Sequence, residues 1–312
     1  MLIVKYLFAL LPLVWIFWKI DFGNLTVTIG EIAWWTLPAI VGLGLVLMFL
    51  QGMKWWLLLR AFMPAISLKE ALVYHFKGNY YSIALPTSAA QDIVRTLLIA
   101  RKNDYAVAWG ATWVARISGL IVLVIISMYG LLTLDSVLLP KGAFQVLIVI
   151  SILIMLMVLF SFSKTSTKLF RKIFRRFIPE KFLLIVENIR DGVYFYRNKK
   201  RHLVLVLLVT ILIQFLMVFN AAMILNGITG KWFISECMAF IPIIEILCLS
   251  LPLTPNGIGI RDGLSALMFH QIALPVEQLG TYIILGFFTI LLKLVGGIPI
   301  LWEMIFRRGV KR

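Results

Sequence analysis

The sequence has little charge and few of the residues from which soluble catalytic sites are built. Only 14% of its 312 residues are charged, and it contains three histidines and two cysteines. His75 and His270 have no Cys, Asp or Glu at the spacing of metal ligands. No Ser-His-Asp set or carboxylate cluster stands out, and the GIG at Gly257 to Gly259 lacks the third glycine of a dinucleotide loop. We therefore expect no catalytic residues, no metal, no cofactor and no enzymatic activity.

Acidic residues are also scarce, with 14 Asp and Glu against 30 Lys and Arg, for a net charge of +16. Twelve of those basic residues fall in one segment, 163–202, and no nucleic-acid-binding motif accompanies them. The excess therefore indicates membrane topology and no nucleic-acid partner. Cys237 and Cys248 lie in apolar sequence and are predicted to be buried thiols instead of a disulfide.

What the chain has in abundance is apolar sequence: 62% of residues are hydrophobic and the mean hydropathy is +0.99. Soluble domains are roughly 45–50% apolar. We predict an all-α polytopic protein that forms a single transmembrane domain over residues 1–312. A spanning helix needs about 20 apolar residues. Six stretches meet this criterion: 2–20, 32–53, 108–132, 143–162, 203–225 and 279–302.

Two apolar regions, 71–100 and 237–278, are broken in the middle. LPTSAAQDIVR at Leu85 to Arg95 aligns without gaps with the start of LPLTPNGIGIRDG at Leu251 to Gly263. The piece Cys237 to Ser250 gives about 21 Å of helix, less than the hydrocarbon thickness of about 30 Å. Each region is predicted to be a re-entrant helical hairpin.

Charge bias orients these elements. The basic segment 163–202 is expected to be cytoplasmic, and its residues 168–178 form an amphipathic helix suited to anionic inner-leaflet lipids or to recruitment of a lipid substrate. If each hairpin leaves the membrane on the side from which it enters, Lys54, Arg60, Lys69 and both termini are also cytoplasmic. The two hairpins then enter from opposite faces, so that 1–162 and 203–312 form an inverted repeat, a design that places substrate between the halves.

Charges at the two breaks are the first candidates for a binding site. Arg95 follows Asp92 by three residues, and Arg261 directly precedes Asp262. Asn256 is a candidate N-cap, and Gly257 and Gly259 would let a ligand approach the backbone. An arginine near the positive end of a helix is explained by a bound phosphate. An internal Arg–Asp pair that only fixes each hairpin explains it as well, and both roles are compatible.

Three further charges lie inside apolar segments. Arg116 and Lys293 fall in the helices that follow the first and second hairpins, where they either line the same cavity or have a structural role. Glu245 stands alone in PIIEILCL and is either a neutral, hydrogen-bonded carboxyl or a group that couples transport to protons. The sequence leaves these alternatives open.

The two breaks carry a resemblance. PNGIGIRD at Pro255 to Asp262 resembles the P-x-G-[IL]-G-[VI]-R-[ED] signature of the lysylphosphatidylglycerol synthase transmembrane-region family, the flippase part of the multiple peptide resistance factor. LPTSAAQDIVR resembles that family's L-P-G-x-x-G-G-D-x-x-R motif but has Thr87, Ala90 and Gln91 in place of glycines, and Ala115 replaces a Glu before Arg116. The resemblance covers about Trp55 to Arg307. It implies movement of a lipid or lipid-linked head group across the bacterial inner membrane, without the aminoacyl-transferase domain.

The leading hypothesis is therefore a flippase in which Arg95, Arg261, Asp92 and Asp262 hold the head group of a phospholipid or polyprenyl-phosphate-linked substrate. Two alternatives remain open. One is an intramembrane transferase acting on lipid carriers, or its non-catalytic partner; the other is a coupled carrier of a soluble anion. A homodimer or a complex with a lipid-modifying enzyme is compatible with each.

Overall fold

A computed structural model describes residue 18 and residues 21–83, 85, 89–100, 105–134, 142–162, 191–250 and 257–307. Every regular element in these ranges is helical, as the sequence predicts. In chain order the helices are α1 (Phe22–Gly30), α2 (Thr36–Arg60), α3 (Leu68–Ser82), α4 (Ala90–Ala100), α5 (Tyr105–Thr133), α6 (Ala143–Phe162), α7 (Lys200–Thr229), α8 (Ile234–Ser250), α9 (Ile260–His270), α10 (Val276–Leu291) and α11 (Ile298–Arg307), with 3-10 turns at Tyr196–Asn198 and Leu292–Gly297.

Four helical stretches are long and apolar enough to cross a membrane: α2, α5, α7 and the continuous run Val276–Ile305. Helix α6 contributes a shorter apolar stretch, Ala143–Leu159. The chain is therefore a multi-pass membrane protein. These helices coincide with five of the six predicted spans, whereas the first, residues 2–20, lies outside the described residues except for Trp18. The amphipathic helix predicted at 168–178 also lies outside them.

Both broken regions form pairs of short helices. Helices α3 and α4 have 15 and 11 residues and pack on each other, and α8 and α9, with 17 and 11 residues, do the same. At about 1.5 Å per residue, each arm is shorter than the hydrocarbon core of about 30 Å. We call α3–α4 the first hairpin and α8–α9 the second.

Each hairpin packs against the helix that follows the other hairpin. Helix α8 lies along α5, and α3 lies against the 3-10 turn Leu292–Gly297, while α2 and α7 contact each other between them. Glycine permits both close approaches. A Cβ at Gly130 of α5 would collide with the backbone of Met238 and Ala239, and one at Gly296 would collide with the carbonyl of Phe76. The same set of contacts thus recurs in the two halves.

The first arm of the second hairpin lies at the centre of the molecule. Phe240, Ile244 and both cysteines of α8 belong to a buried cluster that also contains residues of α5, α6 and α7. A helix that is apolar on all sides is expected to be enclosed by others. The two thiols are buried and unpaired, which confirms the prediction for Cys237 and Cys248.

Two segments differ from the sequence prediction. Helix α2 continues to Arg60, seven residues beyond the predicted end, so Lys54 is a buried residue within a helix and not a loop charge. Part of the predicted basic loop is also docked on the helices, because Tyr196 is buried and its hydroxyl donates to the Leu58 carbonyl at 2.8 Å. The bulky apolar segment WWLLL explains the longer helix, since Trp55, Leu58 and Leu59 join a buried cluster with residues of α5.

Candidate functional site

A cavity of about 390 Å³ lies between the two hairpins and is lined by residues of α2, α5, α7 and α10 as well. Seven of the charged residues that the sequence predicts as candidates line this cavity. They are Asp92, Arg95, Arg116, Glu245, Arg261, Asp262 and Lys293. Residues from two distant breaks and from two following helices therefore share one site, which is where an inverted repeat would place a substrate.

Asp92 links the two arginines of the first half. Its Oδ1 lies 2.7 Å from Nη2 of Arg95, and its Oδ2 lies 2.9 Å from Nη1 of Arg116. The first of these contacts has the i,i+3 spacing of neighbours on one helix face, so the predicted Arg95–Asp92 pair is present. Arg116 has a carboxylate partner even though Ala115 replaces the Glu of the family motif.

Arg95 is also enclosed by neutral groups. Its Nη1 lies 3.0 Å from Nδ1 of His75, which can accept this hydrogen bond only as a neutral ring with the proton on Nε2. Its guanidinium carbon lies 4.8 Å from the ring centroid of Trp55, within the range of a cation–π contact. Trp55 in turn donates to Thr112 at 3.0 Å. Only 6% of the Arg95 side chain is exposed, so this arginine is held firmly on three sides.

Arg261 has a different environment. Its Nη2 lies 3.1 Å and 3.4 Å from the two carboxylate oxygens of Glu245, on the opposite arm of the second hairpin. This contact, in which one nitrogen faces both oxygens, is weaker than the two parallel hydrogen bonds that an arginine can form with a carboxylate. The side chain is 36% exposed, yet its Nε is buried and has no hydrogen-bond partner among the described residues. The exposed part of the Arg261 side chain, and not its Nε, is therefore what a ligand in the cavity could contact.

The internal Arg261–Asp262 pair, one of the two alternatives that the sequence leaves open, is not the ion pair found in the structure. The Asp262 carboxylate instead accepts from the backbone N–H of Gly259 at 2.8 Å, at the start of α9. This bond is a favourable use of a carboxylate at a helix N-terminus. Because Asp262 turns back toward its own backbone, the guanidinium reaches across the hairpin to Glu245.

Gly259, and not Asn256, occupies the N-cap position of α9. Gly257 and Gly259 have φ angles of +77° and +83°, a conformation that glycine adopts without the penalty other residues pay. These two glycines therefore shape the turn that presents Arg261. Asn256 lies outside the described residues.

Two lysines complete the charged lining. Lys293, in the 3-10 turn after α10, lines the cavity as one of the predicted alternatives has it. Lys54 was missed, because its position just after an apolar run suggested a loop; in the structure its Nζ donates to the Ala115 carbonyl at 3.2 Å. Among the described residues, the cavity is thus lined by five cationic side chains and three carboxylates.

Side-chain amides form the second group that sequence reasoning missed. In the part of the chain that the structure describes, five of them line the cavity: Gln51, Asn79, Gln91, Gln214 and Asn220. The available signal was the occurrence of Gln51, Gln214 and Asn220 within otherwise apolar spans, where an unpaired polar group is costly. The Asn220 Oδ1 is buried without a partner in the described part of the chain. Amides both donate and accept, so the lining suits a ligand that carries polar groups besides its charge.

The charged groups of this lining are chemically suited to an anion. Arginine matches phosphate oxygens with paired donors, and the surplus of cationic groups favours an anion. No group of three or more His, Cys, Asp or Glu with metal-binding geometry occurs among the described residues.

The chain matches a known protein family over most of its length. The family model described as "Lysylphosphatidylglycerol synthase TM region" matches residues 2–296. No curated protein and no solved structure matches the chain. The matched range contains both hairpins and every charged residue that lines the cavity.

Proposed function

Because the chain belongs to the lysylphosphatidylglycerol synthase transmembrane-region family, we propose that it is a flippase that moves a lipid with a phosphate-bearing head group across the bacterial inner membrane. The family indicates a membrane function that concerns lipids. The proposal adds the transport activity, the class of head group and the residues that bind it.

The observation that carries the proposal is the cavity between the hairpins, with its surplus of cationic over acidic side chains. An anionic head group enters such a site with its charge compensated, whereas the hydrocarbon of the bilayer would oppose its passage. Arg261 is the group best placed to receive a phosphate, since it lines the cavity with a partly exposed side chain, whereas Arg95 is almost fully buried. The phosphate would then replace Glu245 as its partner.

Alternating access accounts for the crossing. In the proposed topology both termini are cytoplasmic and the hairpins are re-entrant from opposite sides, as the positive-inside rule favours. The recurrence of the same helix contacts in the two halves supports an inverted repeat. Opening of one half and then the other would expose the head group to each face in turn.

No enzymatic step is required of the cavity residues in this account. The carboxylates are engaged with arginines or with the backbone of α9, and each has a binding or positioning role. The substrate is a phospholipid or a polyprenyl-phosphate-linked molecule, since both present a phosphate next to an apolar tail.

Transport in liposomes tests the proposal. Purified protein is reconstituted with fluorescent phospholipids or lipid-linked sugars, and the fraction reachable from outside is followed over time. We expect protein-dependent translocation that is retained in Arg60→Ala, an arginine outside the cavity lining. It should be lost when Arg95→Ala and Arg261→Ala are combined in a protein that still shows a cooperative thermal transition in detergent. Translocation that survives the double substitution would contradict the binding role. Uptake of a soluble anion without lipid movement would instead support a coupled carrier, and product formation would support a transferase.

A further inference from the structure

A second, smaller cavity of about 200 Å³ adjoins the main one. It lies between α5 and α6, near the end of α8. Its lining consists of Trp113, Arg116, Ile117, Leu120, Met157 and Leu249, and we call it the α5–α6 groove. Apart from Arg116, these side chains are apolar or aromatic.

The groove and the main cavity share a wall. Arg116, Leu120 and Leu249 line both of them. On the cavity side, Nη1 of Arg116 is held 2.9 Å from Asp92. A cationic group therefore stands at the point where the polar cavity gives way to apolar lining.

The groove lies at the edge of the molecule. Helix α6 packs chiefly on α5 and exposes large apolar side chains along much of its length, including Ile152, Met155 and Leu156. Near its start, Leu147 is fixed in the buried cluster that contains Leu131 of α5. Met157 lies far from that anchor, toward the other end of the helix pair. The outer side of the groove therefore adjoins the surface that faces lipid.

A lipid whose phosphate enters a polar cavity must leave its tail in an apolar environment, since each methylene group transferred to water costs free energy. An apolar passage that begins beside a cavity arginine and ends at the lipid surface meets this need. We propose that the α5–α6 groove is the lateral portal that holds the acyl or prenyl tail while the head group occupies the cavity. This proposal rests on the proposed lipid transport and adds a tail-binding subsite to it.

Narrowing the groove tests the proposal. Met157 lines the groove but not the main cavity, and Met155, two residues earlier on the same helix, lines neither. We expect Met157→Trp to slow translocation of a two-chain fluorescent phosphatidylglycerol about tenfold, because the larger side chain fills apolar space that the lipid tail would occupy. The matched variant Met155→Trp, which projects toward lipid, should transport at the wild-type rate.

The possible results separate this proposal from the one on which it rests. No translocation by the wild-type protein would overturn lipid transport itself. Wild-type translocation that is equally fast in Met157→Trp would overturn the portal and leave lipid transport standing. An equal loss in both tryptophan variants would also overturn the portal, because the effect would not depend on the groove.

A smaller substitution tests the portal if the tryptophan variant misfolds. If Met157→Trp loses its cooperative thermal transition in detergent, Met157→Phe is compared with Met155→Phe under the same conditions. We expect a smaller loss than for tryptophan, confined to position 157. Translocation unaffected in a folded Met157→Phe would then decide against the portal.

Discussion

The two hairpins present an arginine at corresponding positions, but in opposite states. Arg95 is almost fully buried, pairs with Asp92 at 2.7 Å, bonds to His75 and lies over Trp55. Arg261 is about one-third exposed and reaches one carboxylate through a single nitrogen at 3.1 Å. The Nε atoms of both arginines are buried without a partner among the described residues, so the two differ in exposure. A guanidinium held on three sides has little left to offer a ligand, whereas a side chain that is one-third exposed can contact one. We therefore expect a mainly structural role for Arg95 and, if the proposed function holds, a mainly binding role for Arg261.

The glycines of the two hairpins also differ in position. The second hairpin keeps Gly257 and Gly259, both with positive φ, at the turn before Arg261. The first hairpin has Ala90 and Gln91 where its motif resembles one with glycines, and its close contact involves Gly78 on the other arm. A Cβ there would lie 2.9 Å from the carbonyl oxygen of Gln91. Glycine thus permits the contact between the two arms in the first hairpin and forms the turn before Arg261 in the second.

The largest expected effect is the loss of stability on removing Arg95. Arg95→Ala leaves Asp92 without its closest partner and opens space beside Trp55, and breaking a buried ion pair costs about 3–5 kcal/mol. We expect a clear fall in the midpoint of thermal unfolding in detergent, measured by tryptophan fluorescence. Arg60→Ala is the control, and a midpoint equal to that of the control would remove the structural role.

Arg261→Ala should separate transport from stability. Hydrogen bonds to a charged group contribute about 1.5–3 kcal/mol, so losing this guanidinium should slow lipid translocation about 100-fold. The unfolding midpoint should change little, because the side chain is partly exposed. The proposed difference between the two arginines would be wrong if Arg261→Ala unfolds as readily as Arg95→Ala, or if it transports at the wild-type rate.

Trp55→Leu tests the support behind Arg95. It removes the aromatic face under the guanidinium and the hydrogen bond to Thr112, at a cost of about 2 kcal/mol for a desolvated cation–π contact. We expect reduced thermal stability with unchanged affinity for an anionic lipid once the protein is folded. Trp34→Leu, at an exposed tryptophan, should change neither property. A loss of lipid affinity in Trp55→Leu without a loss of stability would indicate that Arg95 binds the head group.

The smallest effect is expected from Glu245→Gln, which keeps the shape of the side chain and removes the charge that competes for Arg261. Partly exposed ion pairs are worth about 0.2–1 kcal/mol, so binding of a labelled anionic lipid should tighten about threefold. Glu31→Gln, on the exposed surface, is the matched control. Weaker binding in Glu245→Gln would show that the carboxylate helps the lipid to bind.

Local patterns explain which parts of this site the sequence could predict. The breaks were recognisable from proline, glycine and charge within apolar sequence, and the Arg95–Asp92 pair from its spacing along one helix. Arg116 meets Asp92 across 24 residues, and Arg261 meets Glu245 across 16 residues and a hairpin turn. Such pairs depend on how helices pack, which periodicity does not reveal. Lys54 was placed in a loop because hydropathy alone does not show where a helix ends.

The most direct measurement is an experimental structure of the protein in nanodiscs that contain anionic phospholipid. The account predicts a head-group phosphate within hydrogen-bonding distance of the Arg261 guanidinium, with Glu245 displaced and Arg95 still paired with Asp92. A phosphate bound at Arg95 with the Arg261–Glu245 pair intact, or a cavity without lipid, would contradict it.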